Sequence, residues 1–239
     1  MRMLWLVLIC YLPVYAQESF EVNYLIRFND NLSNKDPQFR RHHGILRIEG
    51  GNSYFFMAAI DKHPNSIPDL SKVLDTTFYV KTNPSKNELY ALDFSWDRGF
   101  LWVKDSLFPM EWTIDTATKK VGELNCTKAT CYFRGRNYTA WYSTDIPIAF
   151  GPWKMGGLPG LIIELEDENQ NLVVRFSKMS IGTTPFKLPI AKVEWKDFVK
   201  IRKKAEADYI ASMKADQKAN CLTCQTELSI KMGESLEKY

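Results

Sequence analysis

Apolar and polar residues alternate with a period of two along most of this chain, in short runs broken by Gly, Pro and Asn. A period of two sends successive side chains to opposite faces of a strand, so each run has one face to bury. Phe20, Val22, Tyr24, Ile26 and Phe28 share one such face, with Glu21, Asn23 and Arg27 on the other. GILRIE and SYFFMAAI flank Gly50-Gly51-Asn52, where glycine supplies the positive φ of a tight hairpin. TTFYVKT and ELYALDF flank residues 83–87, and LIIELED and LVVRFSKM flank residues 168–171, giving two further hairpins. FLWVK, EWTID, TCYFRGR and NYTAWYS complete the expected strands. They follow one another through short turns with no helical crossovers, which predicts an antiparallel sheet.

One late segment changes period. From about Asp197, the residues Phe198, Ile201, Ala205, Tyr209 and Met213 recur every three or four positions, and the charges of KIRKK (200–204) occupy other faces. Residues 29–43 and 61–75 are polar, contain Pro and read as loops or short helical turns. The expected fold is α+β and mostly β: a strongly curved, half-barrel-like antiparallel sheet with a C-terminal amphipathic helix. It forms a single domain over residues 17–239, with the helix and tail at about 196–239. Hydrophobic residues at 45% and charged residues at 25% suit such a domain and exclude a disordered chain or a polytopic membrane protein. A net charge of +3, from 31 basic and 28 acidic residues, gives no footprint for nucleic acid.

Residues 1–16 read as a secretory signal peptide, with Arg2 ahead of an apolar run and Val14-Tyr15-Ala16 as the cleavage site. The run is shorter than the ~20 residues of a membrane span, and no later segment is apolar enough to cross. The expectation is an exported protein, periplasmic or secreted. Cys10 would leave with the leader, and Cys126, Cys131, Cys221 and Cys224 would remain. An oxidising compartment favours disulfides among these four, with three connectivities open. A thiol–disulfide or zinc module built on Cys221/Cys224 and Cys126/Cys131 is the competing reading.

The most specific stretch runs from Cys126 to Asp167. In order it presents Cys126, Ala129, Gly135-Arg136, Ala140-Trp141, Asp145-Ile146-Pro147, Gly151-Pro152, Gly157-Leu158-Pro159-Gly160-Leu161-Ile162 and Asp167. This ordered set resembles the GLPGLI family of exported Bacteroidota proteins, whose function is unknown. The resemblance implies export and a β-rich fold rather than an activity, and of the four cysteines only Cys126 falls on a family position.

Within that stretch, proline and glycine stiffen a loop around Trp153, Lys154 and Met155. The residues either plug one end of the sheet, with Trp153 as the plug, or form a recognition loop at a pocket mouth. His42, His43 and His63 lack metal-ligand spacing; the adjacent pair faces opposite ways on a strand. No Gly-x-Ser-x-Gly elbow, His-Glu-x-x-His helix or phosphate-binding glycine loop is present. Glu164 and Glu166 share a strand face that solvation explains. The sequence therefore predicts a non-enzymatic, cofactor-free binding or carrier module of the cell envelope. Its partner would be a hydrophobic or peptide-like ligand held on the concave face of the sheet, or alternatively an outer-membrane protein that it serves structurally.

Overall fold

The computed structural model describes residues 19–29, 39–59, 78–95, 98–107, 109–182 and 193–220. The leader at 1–16, the segment 61–75, His63, Cys221 and Cys224 lie outside the described residues. Among those described, twelve strands form one sheet. The first six are β1 (Phe20–Asn29), β2 (Phe39–Glu49), β3 (Asn52–Ala59), β4 (Phe78–Asn83), β5 (Glu88–Ser95) and β6 (Gly99–Ser106). They are followed by β7 (Thr113–Val121), β8 (Leu124–Phe133), β9 (Arg136–Ser143), β10 (Leu161–Asp167), β11 (Leu172–Ile181) and the two-residue β12 (Val193–Glu194). A helix, α1 (Trp195–Asn220), ends the described chain. The strand order is β12-β6-β5-β4-β3-β2-β1-β11-β10-β9-β8-β7. Two antiparallel meanders are thus joined where β1 pairs with β11, and only β12 runs parallel to its neighbour.

The expected hairpins form for the expected reasons. Gly50 and Gly51 both hold positive φ, 59° and 72°, between the paired residues Glu49 and Asn52. Asn83 caps a short 3-10 turn, accepting from the Lys86 amide, and Asn87 closes it in the left-handed region. Some strand boundaries differ from the sequence reading. TCYFRGR is not one strand: Arg134 (φ 45°) and Gly135 (φ 82°) form the tight turn between β8 and β9. Residues 39–43, expected as loop, extend β2, because that stretch pairs with β1.

The sheet is open, with β12 and β7 at its edges, and it is strongly curved. Eight strand spacings of ~4.8 Å separate β6 from β9, about 38 Å in a flat sheet. Yet Arg134, in the turn before β9, makes an ion pair with Asp105 of β6 and lies 3.9 Å from the ring centre of Trp195. Only a sheet rolled towards itself brings those groups together. One face is therefore an inner face, and it carries Val22, Tyr24 and Ile26 of β1, Leu46 of β2, Phe55 of β3, Leu89 and Ala91 of β5, and Ala129, Cys131 and Phe133 of β8.

Helix α1 buries the first half of its apolar stripe. Phe198 and Ala205 are buried, whereas Tyr209 and Met213 are 39% and 36% exposed. The KIRKK charges pair locally, Lys200 with Asp197, Lys204 with Asp208, and Arg202 with Glu206 and with Asp93 of β5. They form an ion-paired helix face. Among the described residues, no helix is long and apolar enough to cross a membrane.

Candidate functional site

The inner face is filled by the chain's own signature loop. Strand β9 ends at Ser143, and the chain crosses the inner face through residues 144–160 before re-entering the sheet as β10. Asp145 anchors the departure: its carboxylate accepts from the Asn125 backbone amide at 2.9 Å, and this bond holds its pKa below the usual carboxylate range. The Ile146 carbonyl accepts from the amides of Ile148 (2.8 Å) and Leu161 (2.9 Å), pinning both ends of the loop. A single bridge, Phe150 to Gly156, makes a miniature hairpin, extended by Gly157 N–H donating to the Ala149 carbonyl at 2.9 Å. Trp112, ahead of β7, donates its indole N–H to the Gly156 carbonyl at 2.9 Å.

Glycine is required at Gly160 and allows a close side-chain contact at Gly151. At Gly160 a Cβ would lie 2.1 Å from the Ser143 carbonyl oxygen, and at Gly151 one would lie 2.6 Å from Ile162 Cδ1. Both glycines permit close approach rather than unusual φ.

At the tip of the loop, Trp153 is 5% exposed, Lys154 4% and Met155 3%. Trp153 takes a φ of 57°, uncommon for a bulky residue, and packs its ring against Phe133 (5.9 Å, edge-on) and Tyr138 (6.0 Å). Its indole N–H is buried without an acceptor among the described residues. The Lys154 ammonium lies 5.6 Å from the Trp153 ring centre and 5.3 Å from that of Trp195. Trp153, Met155, Leu158 and Ile162 belong to the same core as Tyr24 and Phe55. The Tyr24 hydroxyl donates to the Ile162 carbonyl at 2.8 Å, and full burial pushes the phenol pKa well above its ordinary value.

The signature residues thus divide in two. Arg136 and Asp167 build a buried bracket, next to half-buried Gly135 in the β8–β9 turn. Arg136 is 1% exposed and reaches Asp167 at 3.4 Å, while the other Asp167 oxygen accepts from the Leu172 amide at 2.7 Å. That bracket ties the β8–β9 turn to the β10–β11 turn. Trp141 stands on the outer face instead, 4.3 Å beneath the Lys119 ammonium. There Lys119, Glu164, Arg175 and Glu166 form a cross-strand chain of ion pairs. The two glutamates are therefore ion-paired. Pro147, Gly157 and Pro159 are exposed along the loop.

Cys126 and Cys131 carry free, buried thiols, so the disulfide between them expected as one connectivity is not formed. Five residues apart on one strand, they point to opposite faces. Burial raises both thiol pKa values, that of Cys131 to about 12. Among the described residues no three His, Cys, Asp or Glu side chains come close enough to hold a metal ion. His42 packs edge-on to Phe28, with ring centres 6.5 Å apart.

Beside the loop tip lies a cavity of about 550 Å³. The signature contributes Phe150, Lys154, Met155, Gly156 and Gly157, so Lys154 and Met155 line a pocket while Trp153 plugs the core behind them. The remaining wall comes from the β4–β5 turn, with Pro84 and Asn87, and from the β6–β7 connection, with Leu107, Pro109 and Met110. Sequence reasoning missed this wall: its two segments are neighbours through the β5–β6 pairing, where the Leu107 amide donates to the Asn87 carbonyl, but they face the signature loop only because the sheet curls. The bulky pair Met110 and Trp112 just before a polar strand was the one local signal.

A family model described as "Protein of unknown function (Porph_ging)" matches residues 134–164, from the β8–β9 turn through the loop into β10. No curated protein matches the chain. The chain is similar to two solved structures of PNGF-II. In the C2 crystal form the TM-score is 0.53 at 17% identity, covering 79% of this chain and 33% of that one. In the P21 form it is 0.52 at 15% identity, covering 79% and 34%. The chain spans about a third of the length of these structures, and the likeness is one of fold.

Proposed function

We propose that this protein is a non-enzymatic binding or accessory module of the bacterial cell envelope. It belongs with the GLPGLI-type exported proteins and holds a hydrophobic or peptide-like ligand in the cavity beside its signature loop. The cavity itself carries the reading. Its volume of about 550 Å³ falls within the range of small-molecule sites, and its wall is built from Leu107, Pro109, Met110, Phe150 and Met155 with few polar groups. The site differs from the open concave face that alternation alone suggests, because the inner face is occupied by the loop that also forms the pocket rim. Rigidity supports the same reading. A loop pinned at Ile146, Gly156 and Gly160 presents a preformed wall, which lowers the ordering cost of binding. Cys126 and Cys131, buried and with raised pKa values, are poorly suited to thiol exchange.

The test is a cavity-filling substitution. Ala149 is exposed at the rim and lines the pocket, so Ala149→Trp fills the space with little cost to the core. An apolar fluorescent probe bound by the parent protein is expected to lose at least tenfold in affinity on the variant at unchanged melting temperature. Equal binding by both would refute this site.

A further inference from the structure

The cavity is tied on two sides to the start of helix α1, though its lining comes from other elements. On the loop side, Lys154 lines the cavity and carries its ammonium 5.3 Å from the ring centre of Trp195, the first residue of α1. On the opposite side, Leu107 lines the cavity just beyond Asp105 at the end of β6. The Asp105 carboxylate pairs with Arg134, whose guanidinium lies 3.9 Å from that same Trp195 ring centre. The side chains of this pair are 11% exposed at Arg134 and 4% at Asp105, so little water competes for the contact. Two walls that are far apart in sequence thus converge on one indole.

Trp195 packs in turn on Phe198, with ring centres 6.0 Å apart, and Phe198 is fully buried. Ala205 is buried as well, and Arg202 pairs with Asp93 of β5, whereas Tyr209 and Met213 are exposed. The helix is anchored through its first half. An element anchored in this way opens more readily than a strand at the centre of a sheet, and a few contacts shift the balance.

Resting on the pocket reading above, we infer that occupancy of the cavity and docking of α1 are coupled through Trp195. A ligand that fixes both walls fixes Lys154 on one side and, through Asp105, Arg134 on the other. These two hold the indole, the indole holds Phe198, and Phe198 seats the helix. Linkage supplies the converse: a docked α1 raises the affinity of the cavity, and a released α1 lowers it by the same factor. Trp195 is thus a positioning residue for the site, and α1 carries a readout of the ligand to the surface.

Hydrogen exchange of the full chain with and without saturating decanol reads the coupling. Amide exchange over residues 195–205 is expected to slow at least fivefold, and shielding by the probe does not explain this, because α1 contributes no described lining residue. Arg134→Gln breaks one of the two ties and is expected to show less than half of that protection. Calorimetric titration supplies the reciprocal measurement. Phe198→Ala loosens α1 and leaves the lining residues in place, so it is expected to bind decanol at least fivefold more weakly, while Met213→Ala, on the exposed half, binds as the parent does. Unchanged exchange in α1 at saturation, or parent-like affinity of Phe198→Ala, would overturn the coupling and leave the pocket standing. Failure of the parent protein to bind decanol at all would overturn the pocket reading itself. Should Phe198→Ala not fold, exchange in the parent and Arg134→Gln proteins decides the matter alone.

Discussion

Replacing Gly160 by Ala tests whether the loop is held as tightly as its contacts imply. The added Cβ would stand 2.1 Å from the Ser143 carbonyl oxygen, 2.6 Å from its carbon and 2.9 Å from the Thr144 nitrogen. All three are backbone atoms, so no side chain can rotate away. An acceptable carbon–oxygen contact is about 3.3 Å, which requires a displacement of about 1.2 Å. That shift acts one residue from the Leu161 amide, which donates to Ile146 at 2.9 Å. Overpacking of this kind costs about 3 kcal/mol, lowering the melting temperature by roughly 6–12 °C at this chain length. Gly157→Ala is the control. Its φ is 87°, but an added Cβ meets nothing within 4 Å, so only backbone strain applies. That strain costs about 1 kcal/mol, or roughly 2–4 °C. Calorimetric melting of the two variants against the parent reads the difference. If Gly160→Ala melted as mildly as Gly157→Ala, the packing of the loop against the end of β9 would be refuted.

Other expectations follow from the same contacts. Asp167→Ala strips Arg136 of a buried partner and Leu172 of its acceptor, and should cost about 3–5 kcal/mol by denaturant unfolding; a loss under 1 kcal/mol would show the bracket to be ornamental. The double variant Arg136→Met with Asp167→Asn keeps an acceptor for Leu172, so it should lose clearly less than the sum of its single variants. With both thiol pKa values raised, Cys126 and Cys131 should resist alkylation at pH 8 in the native state and react after denaturation; rapid native labelling of either would contradict their burial. Asp145 has a lowered pKa, so its contribution to stability is complete above the unfolded carboxylate value of about 3.9 and is lost as pH falls through the folded value. Asp145→Asn should flatten that acid limb of the melting curve, and an unchanged limb would place the acid sensitivity elsewhere.

Much of the sheet was legible because local rules decide it. Gly50-Gly51 and the run around Pro84 dictate their turns, and the alternation in β9 sends Tyr138, Ala140 and Tyr142 inward while Trp141 faces out, as the pattern alone predicts. Less legible were features set by partners far along the chain. Asn23 is buried where alternation alone would expose it, beside the point where the pairing of β1 with β11 shifts register by one residue on the β11 side. Residues 39–43 look like loop until β1 supplies the neighbouring hydrogen bonds. Strand β7 runs beyond EWTID through polar Thr116–Val121, an exposed edge with little apolar signal to mark it. At the site, glycine and proline announced a stiff loop around Trp153, Lys154 and Met155, but nothing local showed that it would fill the inner face. The opposite wall of the cavity, from Pro84 to Met110, faces the signature loop only because curvature brings β6 and the β8–β9 turn together, and curvature is a sum over many strands.

The most direct measurement of the binding reading is a native mass spectrum of the protein purified gently from its own host. The account predicts a population heavier than the bare chain by one small apolar molecule, released on denaturation and missing from Ala149→Trp. A parent protein that is always found at the mass of its bare chain, and that takes up no alkyl probe afterwards, would contradict it.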